Sequence, residues 1–154
     1  MIAPTKALDT ATIRAAVPED LSAVERLLTE NDLPLLGVRE AFKDFVVAES
    51  NGRIVGVAGL EVCRENALLR SVAVSQDWRS KGIARALVTR AIADAEARGL
   101  QGLYLLTTTA EHYFPSFGFA PVVRENVPAD VRVTTEFTTT CSATAIAMAR
   151  QLNG

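Results

Sequence analysis

The chain has 154 residues, 49% of them hydrophobic, and 16 Lys and Arg stand against 18 Asp and Glu for a formal net charge of −2. That length and apolar content suit one domain with a core that needs no staples, and the near-neutral, scattered charge leaves no footprint for nucleic acid. Two cysteines, Cys63 and Cys141, and the single histidine, His112, cannot complete a zinc site, so no metal is expected and a reduced, cytoplasmic setting is.

Residues 1–10 carry little pattern and read as a mobile leader ahead of one domain over 11–154, without a secretory core or an apolar run of spanning length. Thr12–Ala16 reads as a first strand. Pro18-Glu19-Asp20 suits the first turn of a helix whose stripe is Leu21, Val24, Leu27 and Leu28. The helix stops near Asn31-Asp32, and Leu33 to Gly37 interrupts before a short helix over about Val38–Lys43; the break is a candidate wall of a substrate site. Phe45–Glu49 and Arg53–Val62, joined through Ser50-Asn51-Gly52, read as a hairpin with an Asn-Gly turn. Arg64–Asn66 is a second turn, and Ala67–Val74 returns beside the preceding strand.

That strand feeds a basic, glycine-bearing stretch, Gln76 to Ala84, and then a helix over Ala84–Arg98. The helix has an apolar face of Ala84, Leu87, Val88, Ala91, Ile92 and Ala95, and Gly99 is placed to cap it. A helix start leaves backbone N–H groups without partners and carries partial positive charge, so a turn leading into it can hold a pyrophosphate. Gly82 and Ala84 let a ligand approach the backbone, while Arg79, Lys81 and Arg85 add charge. No Gly-x-x-x-x-Gly-Lys-Ser/Thr occurs, and Gly56-Val57-Ala58-Gly59 lacks the first glycine pair of a dinucleotide fingerprint. Gly102–Thr107 follows as a short buried strand. If it runs parallel to Ala67–Val74, the two can splay and leave a cleft.

Arg79-x-x-Gly82-x-Ala84, after a strand ending Val72-Ala73-Val74, resembles the coenzyme A loop of the GNAT superfamily of N-acetyltransferases. Glu111-His112-Tyr113-Phe114-Pro115-Ser116-Phe117-Gly118-Phe119 resembles that family's segment in which a short aromatic helix ends at Gly-Phe. The resemblance runs from Thr12 to Leu152 and implies an α/β (α+β) fold. Its centre is a mixed, mostly antiparallel sheet of about seven strands with a splay between strands 4 and 5, flanked by helices. On it, Phe119–Arg124 is the next strand, Pro128–Phe137 a short helical insertion and Ala143–Arg150 the final strand. Leu33-Pro34, Gly59–Val62, Leu69-Arg70-Ser71, Leu105–Thr109, Val127-Pro128 and Glu136-Phe137 through Cys141 are similar to the arsenic-resistance subgroup. That similarity implies acetylation of a small amine, an organoarsenical or a glutamate analogue. Cys141 is more simply read as a small buried apolar residue.

The resemblance implies acetyl-CoA as cosubstrate, held by Val72, Ala73 and Val74, by Arg79, Ser80, Lys81, Gly82, Ile83, Ala84 and Arg85, and by Phe114 and Phe117. Backbone groups of Val72–Val74 would bind the pantetheine arm and polarise the thioester oxygen. Many relatives carry a glutamate where this chain has Arg70. An arginine stays protonated and cannot be a base, but it can bind a carboxylate, phosphonate or arsonate with two prongs. Glu61 is then the nearest base, or else simply the cross-strand partner of Arg70; both readings stand open. The place of the family's usual proton-donating tyrosine is Phe114 here, so the acid is Tyr113 one residue earlier, or else water or the departing amine proton; these readings stand open. Leu33, Arg70 and Thr107 are the expected acceptor contacts. His112 ranks below Glu61, and Tyr104 and Trp78 are expected to pack. The partners expected are coenzyme A and a small-molecule amine, without nucleic acid or membrane, and a homodimer is the candidate assembly. Two other readings compete: a module that binds acetyl-CoA as a sensor without turnover, and an oligomeric scaffold with a vestigial loop.

Overall fold

The computed structural model describes residues 10–140 and 145–152. Residues 1–9, Cys141 and Ala143 lie outside the described residues, so the leader, the second cysteine and the start of the expected last strand have no structural account. The strands are β1 (Thr12–Ala15), β2 (Phe45–Ser50), β3 (Arg53–Val62), β4 (Asn66–Val74), β5 (Gly102–Thr107), β6 (Ala120–Pro121) and β7 (Ile146–Gln151). The helices are α1 (Leu21–Glu30), α2 (Val38–Ala41), α3 (Ile83–Ala97) and α4 (Ala129–Arg132). The seven strands form one sheet in the order β1-β2-β3-β4-β5-β7-β6, mixed and mostly antiparallel as expected. Within it, β4 and β5 run parallel through Asn66–Leu68 and Gly102–Tyr104 and splay beyond. The chain divides into two compact units, Met1–Gly59 with Ser71–Ala91, and Leu60–Arg70 with Ile92–Gly154.

In the first unit the hairpin turns where Asn51 and Gly52 both take positive φ, 52° and 80°. That is the backbone twist a two-residue hairpin requires and the one asparagine and glycine tolerate. Over Phe45–Ala48, before the register shifts at Glu49, β2 is apolar on both sides, which is how a strand covered by helices on both faces must read. Phe45 and Val47 join Val24, Leu27 and Leu28 of α1, while Val46 and Ala48 join Ile83 and Leu87 of α3. Gly59 sits directly under the ring of Phe45. The segment expected as the first turn of α1 is a separate 3₁₀ turn, Pro18–Asp20. Asp20 is drawn back by a two-pronged bond from Arg14 at 2.8 and 3.0 Å and by the Val17 N–H at 2.9 Å. Arg14 also donates to Glu49 at 2.7 Å, which ties β1 to β2 and to the entry of α1.

In the second unit β5 pairs antiparallel with β7 along its whole length, and β6 adds two residues to the edge. Leu68, Tyr104, Val127, Val131 and Ala147 form its core, so Tyr104 packs as expected. The strand expected over Phe119–Arg124 shrinks to Ala120–Pro121. Proline brings no N–H to the ladder, and the chain turns into a 3₁₀ segment at Arg124–Asn126. The single helical insertion expected over Pro128–Phe137 is instead two pieces, α4 and a π-type turn at Glu136–Thr140.

Replacing Gly59 by alanine would push a methyl group into the Phe45 ring. Overpacking of this kind costs about 1–3 kcal/mol, and the urea midpoint of Gly59→Ala should fall accordingly. The Arg14 fork holds the Asp20 carboxyl below the usual carboxylate range, against the opposing effect of burial. A lowered folded pKa gives stability that is complete above the ordinary value of about 4 and is lost as pH falls through the lowered one. Thermal melts between pH 7 and pH 2 should therefore show a shallower acid limb for Asp20→Asn than for the parent chain.

Candidate active site

The first unit carries the phosphate-cradle sequence. β4 ends in Ala73 and Val74, both buried, and the Ser75 N–H donates to the Val55 carbonyl at 2.8 Å, which anchors the exit of the strand to β3. A 3₁₀ turn, Gln76–Trp78, follows, and Trp78 lays its ring against the cluster of Val46, Ala48, Val55, Ile83 and Leu87. The loop is then set by two left-handed residues, Ser80 at φ 66° and Gly82 at φ 82°. Arg79 before them is extended, so the chain changes direction sharply within four residues at the helix entry. The loop leads into the 15-residue α3, whose start carries partial positive charge. Ile83 is buried and pins the helix start, whereas Ser80, Lys81, Gly82 and Arg85 are exposed and Ala84 is half-buried. A Cβ built on Gly82 meets nothing within 4 Å, so the backbone there is open to a ligand.

Arg79 has a second task beyond its charge. Its Nε donates to the Val74 carbonyl at 3.2 Å and its Nη2 to Asn31 Oδ1 at 2.7 Å. Asn31 in turn closes α1 by donating from Nδ2 to the Leu27 carbonyl. Arg79 thus braces the loop against the strand before it and against the end of α1. No sequence pattern flags Asn31 for this job, because the bond spans 48 positions. Leu33 packs against the first unit's core and is half-buried.

The second unit gathers the ionisable residues. Arg70 of β4 has a side chain with 0% exposure; Glu61 of β3 lies 3.0 Å from its Nη1, and Glu136, from the π-type turn, 3.7 Å from its Nη2. The expectation that Arg70 grips an acceptor's oxyanion fails in this geometry. The guanidinium is out of solvent between two carboxylates, which stay 22% and 13% exposed. A solvent-borne ligand therefore meets carboxylate. The cross-strand pairing of Glu61 with Arg70 is observed, and it leaves Glu61 at the surface of the cluster. Glu136 was legible only as part of a motif. The signal that could have found it is the burial of Arg70 itself, since a desolvated guanidinium needs carboxylates around it. Next in β4, Ser71 takes φ 59°, a left-handed residue inside a strand, and such outliers concentrate at functional sites.

A cavity of about 310 Å³ opens beside this cluster, with Glu61, Cys63, Arg64 and Asp130 among its lining residues. Asp130 accepts from the N–H groups of Glu65 and Asn66 at 3.0 and 3.1 Å and from Asn66 Nδ2 at 3.1 Å, fastening α4 to the β3–β4 turn. Burial pushes its carboxyl up, but the bonds from Glu65, Asn66 and Arg64 outweigh that, and its pKa ends below the ordinary value. Burial, with Asp130 and Glu61 nearby, pushes the Cys63 thiol up to about 12.

Of the other expected residues, Tyr113 is 36% exposed and stacks edge-on against Phe114 and Phe117 at 5.3 Å each, and Phe114 is buried. His112 is exposed. Thr107 supports a local turn, its Oγ1 accepting from the N–H groups of Thr109 and Ala110 at 3.3 and 2.9 Å. Among the described residues no group of His, Cys, Asp and Glu could hold a metal, and no helix is long and apolar enough to cross a membrane.

The family model for the acetyltransferase (GNAT) domain matches residues 41–121. The amino-acid acetyltransferase of Azotobacter vinelandii is 32% identical over 126 residues, covering 76% of this chain and 29% of its own length. That of Aeromonas salmonicida is 29% identical with 76% and 28% covered, so the chain spans under a third of the length of these curated relatives. Among solved structures, N-acetylglutamate synthase from Neisseria gonorrhoeae, complexed with coenzyme A and N-acetyl-glutamate, superposes with a TM-score of 0.80 at 20% identity, over 94% of this chain and 35% of that one. A Mycobacterium tuberculosis protein in complex with CoA reaches 0.78 at 25% identity, over 92% and 99%.

With its thiol raised to about 12, Cys63 holds almost no thiolate at neutral pH, and only the thiolate is nucleophilic. Peptide-resolved mass spectrometry after iodoacetamide treatment at pH 7.5 should show Cys63 alkylated more slowly in the folded chain than in urea, by at least tenfold.

Proposed function

Because the chain belongs to the family of GNAT acetyltransferase domains, we propose that it transfers the acetyl group of acetyl-CoA to the primary amine of a small molecule. The observation that carries this reading is the left-handed pair Ser80 and Gly82 at the start of α3. It bends the loop into the N-terminus of α3 with the backbone at Gly82 open, and the unpartnered N–H groups of a helix start suit a pyrophosphate. Lys81 and Arg85 flank that start, and Phe114 and Phe117 are further coenzyme contacts of the proposal. Backbone groups of Val72–Val74 take the pantetheine arm and leave a donor for the thioester oxygen, where charge builds as the amine attacks. Relatives of this chain are amino-acid acetyltransferases, which favours an acceptor with an amino-acid frame. A glutamate analogue or an amino-acid-like organoarsenical is the finer form of that proposal.

Glu61 is the base. Arg70 holds its Oε1 and so fixes the carboxylate's direction, and the pair with Glu136 makes the local charge negative, which draws an ammonium ion. Glu61 takes the proton from the nitrogen as the N–C bond forms and the C–S bond breaks. The exposed phenol of Tyr113 returns a proton to the departing thiolate. Phe114 cannot do so, because it is buried and carries no proton. The second reading, a coenzyme sensor without turnover, rests on that same replacement, and on Arg70 standing where relatives carry a glutamate.

Free-thiol release from acetyl-CoA, measured against acidic amino acids, phosphinic and arsonic glutamate analogues, polyamines and peptides, tests the two. Turnover of an amino-acid-like amine is expected. Glu61→Gln should lower kcat by about 10²–10⁴-fold with coenzyme affinity retained, and Gly82→Glu should abolish coenzyme binding in calorimetry. Coenzyme binding with silence across the panel would favour the sensor.

A further inference from the structure

The cavity of about 310 Å³ beside Glu61 carries a second charge, Arg64, to which the proton transfer assigns no role. Four ionisable side chains line it, and two are already committed. Asp130 is saturated by N–H donors from the β3–β4 turn. The Cys63 thiol stays protonated and neutral. The two that remain are Glu61, at the surface of its cluster, and Arg64, which is exposed and has no side-chain hydrogen bond or ion pair among the described residues. They lie three residues apart at the end of β3, one negative and one positive, with Val62 between them in sequence and Val133, 73% exposed, contributing to the lining. An exposed valine beside a cavity offers apolar surface that a ligand's stem can cover.

We infer that this cavity is the acceptor subsite and that it takes a zwitterionic or anionic amine: the ammonium group at Glu61, a carboxylate or other oxyanion at Arg64, and the carbon stem along Val62 and Val133. The inference rests on the transferase reading for the role of Glu61, and it moves oxyanion recognition from buried Arg70 to exposed Arg64. Size suits a small acceptor, because the volume of about 310 Å³ stands at the lower end of ligand cavities, about 300–1,000 Å³, with room for an amino acid. Charge supports the class. A simple alkylamine would leave the guanidinium without a partner, whereas an amino acid engages both ends with charge-assisted hydrogen bonds.

Two readouts separate this subsite from the transferase reading. The first is calorimetric binding of L-glutamate and of n-propylamine, its counterpart without carboxylates, to the full chain saturated with coenzyme A. The second is thiol release with the same two amines and acetyl-CoA. L-glutamate should bind more tightly than n-propylamine. Arg64→Ala should cut that preference about tenfold or more, and in turnover the loss should fall on KM for L-glutamate rather than on kcat. Arg64→Lys, which keeps charge without the fork, should recover part of it. Binding of L-glutamate that depends on Arg64 but yields no product would uphold the subsite and sink the transferase reading. Turnover of L-glutamate with the same KM in Arg64→Ala as in the parent would sink the subsite and leave the transferase reading standing. No L-glutamate binding at all would overturn the subsite.

Discussion

A guanidinium removed from water is the constraint around which the second unit is arranged. Desolvating one charge costs several kcal/mol even after relaxation, so Arg70, with no exposed side chain, has to bring carboxylates to itself. It takes one from the neighbouring strand and one from a segment 66 positions later, Glu61 and Glu136. Three separate parts of the chain are thereby held to one point by charge. The cluster then has an inside that is positive and an outside that is negative, and that polarity decides what a ligand encounters. An arginine read from sequence as a hand extended to a substrate is, in the fold, the anchor that directs two acids.

The first unit solves a different problem, which is to present bare backbone without letting it collapse. A loop of exposed polar residues has little reason to hold one shape. Here the shape is fixed from its edges, with Trp78 and Ile83 sunk into the apolar cluster on one face of the sheet and Arg79 bonded to the strand end and to the terminus of α1. Ser80 takes a left-handed φ of 66° within that braced loop. Non-glycine residues in that region cost of order 1 kcal/mol or more, and the bracing on either side offsets it.

The elements that sequence made legible are those whose causes are local. Asn51-Gly52 announces its own turn, the stripe of Leu87, Val88, Ala91 and Ala95 announces α3, and Gly99 ends that helix at φ 73° as a capping glycine does. The fold class followed from their order, and the loop at Gly82 from its composition. What stayed hidden depended on partners distant in sequence. Whether Glu61 was free or paired turned on strand register. The bond from Arg79 to Asn31, the grip of Asp130 on the β3–β4 turn and the closing role of Glu136 all join residues 48 or more positions apart. Thr107 was expected at the acceptor, and its Oγ1 also accepts from a turn within three residues, a bond that composition alone does not announce.

The joint made by Asp130 has a consequence for how such a chain can change. α4 is four residues long and contributes one fully buried side chain, Val131, to its neighbours, so little hydrophobic work attaches it. Its position is set instead by a single carboxylate, which accepts from the main-chain N–H groups of Glu65 and Asn66 and from the Asn66 side-chain amide. A segment fastened at one carboxylate can be exchanged so long as Asn66 is kept beneath it. A different segment between Pro128 and Thr140 would thus have to keep two carboxylates, Asp130 for the turn and Glu136 for Arg70, and the buried Val131, while exposed positions such as Val133 are free to change.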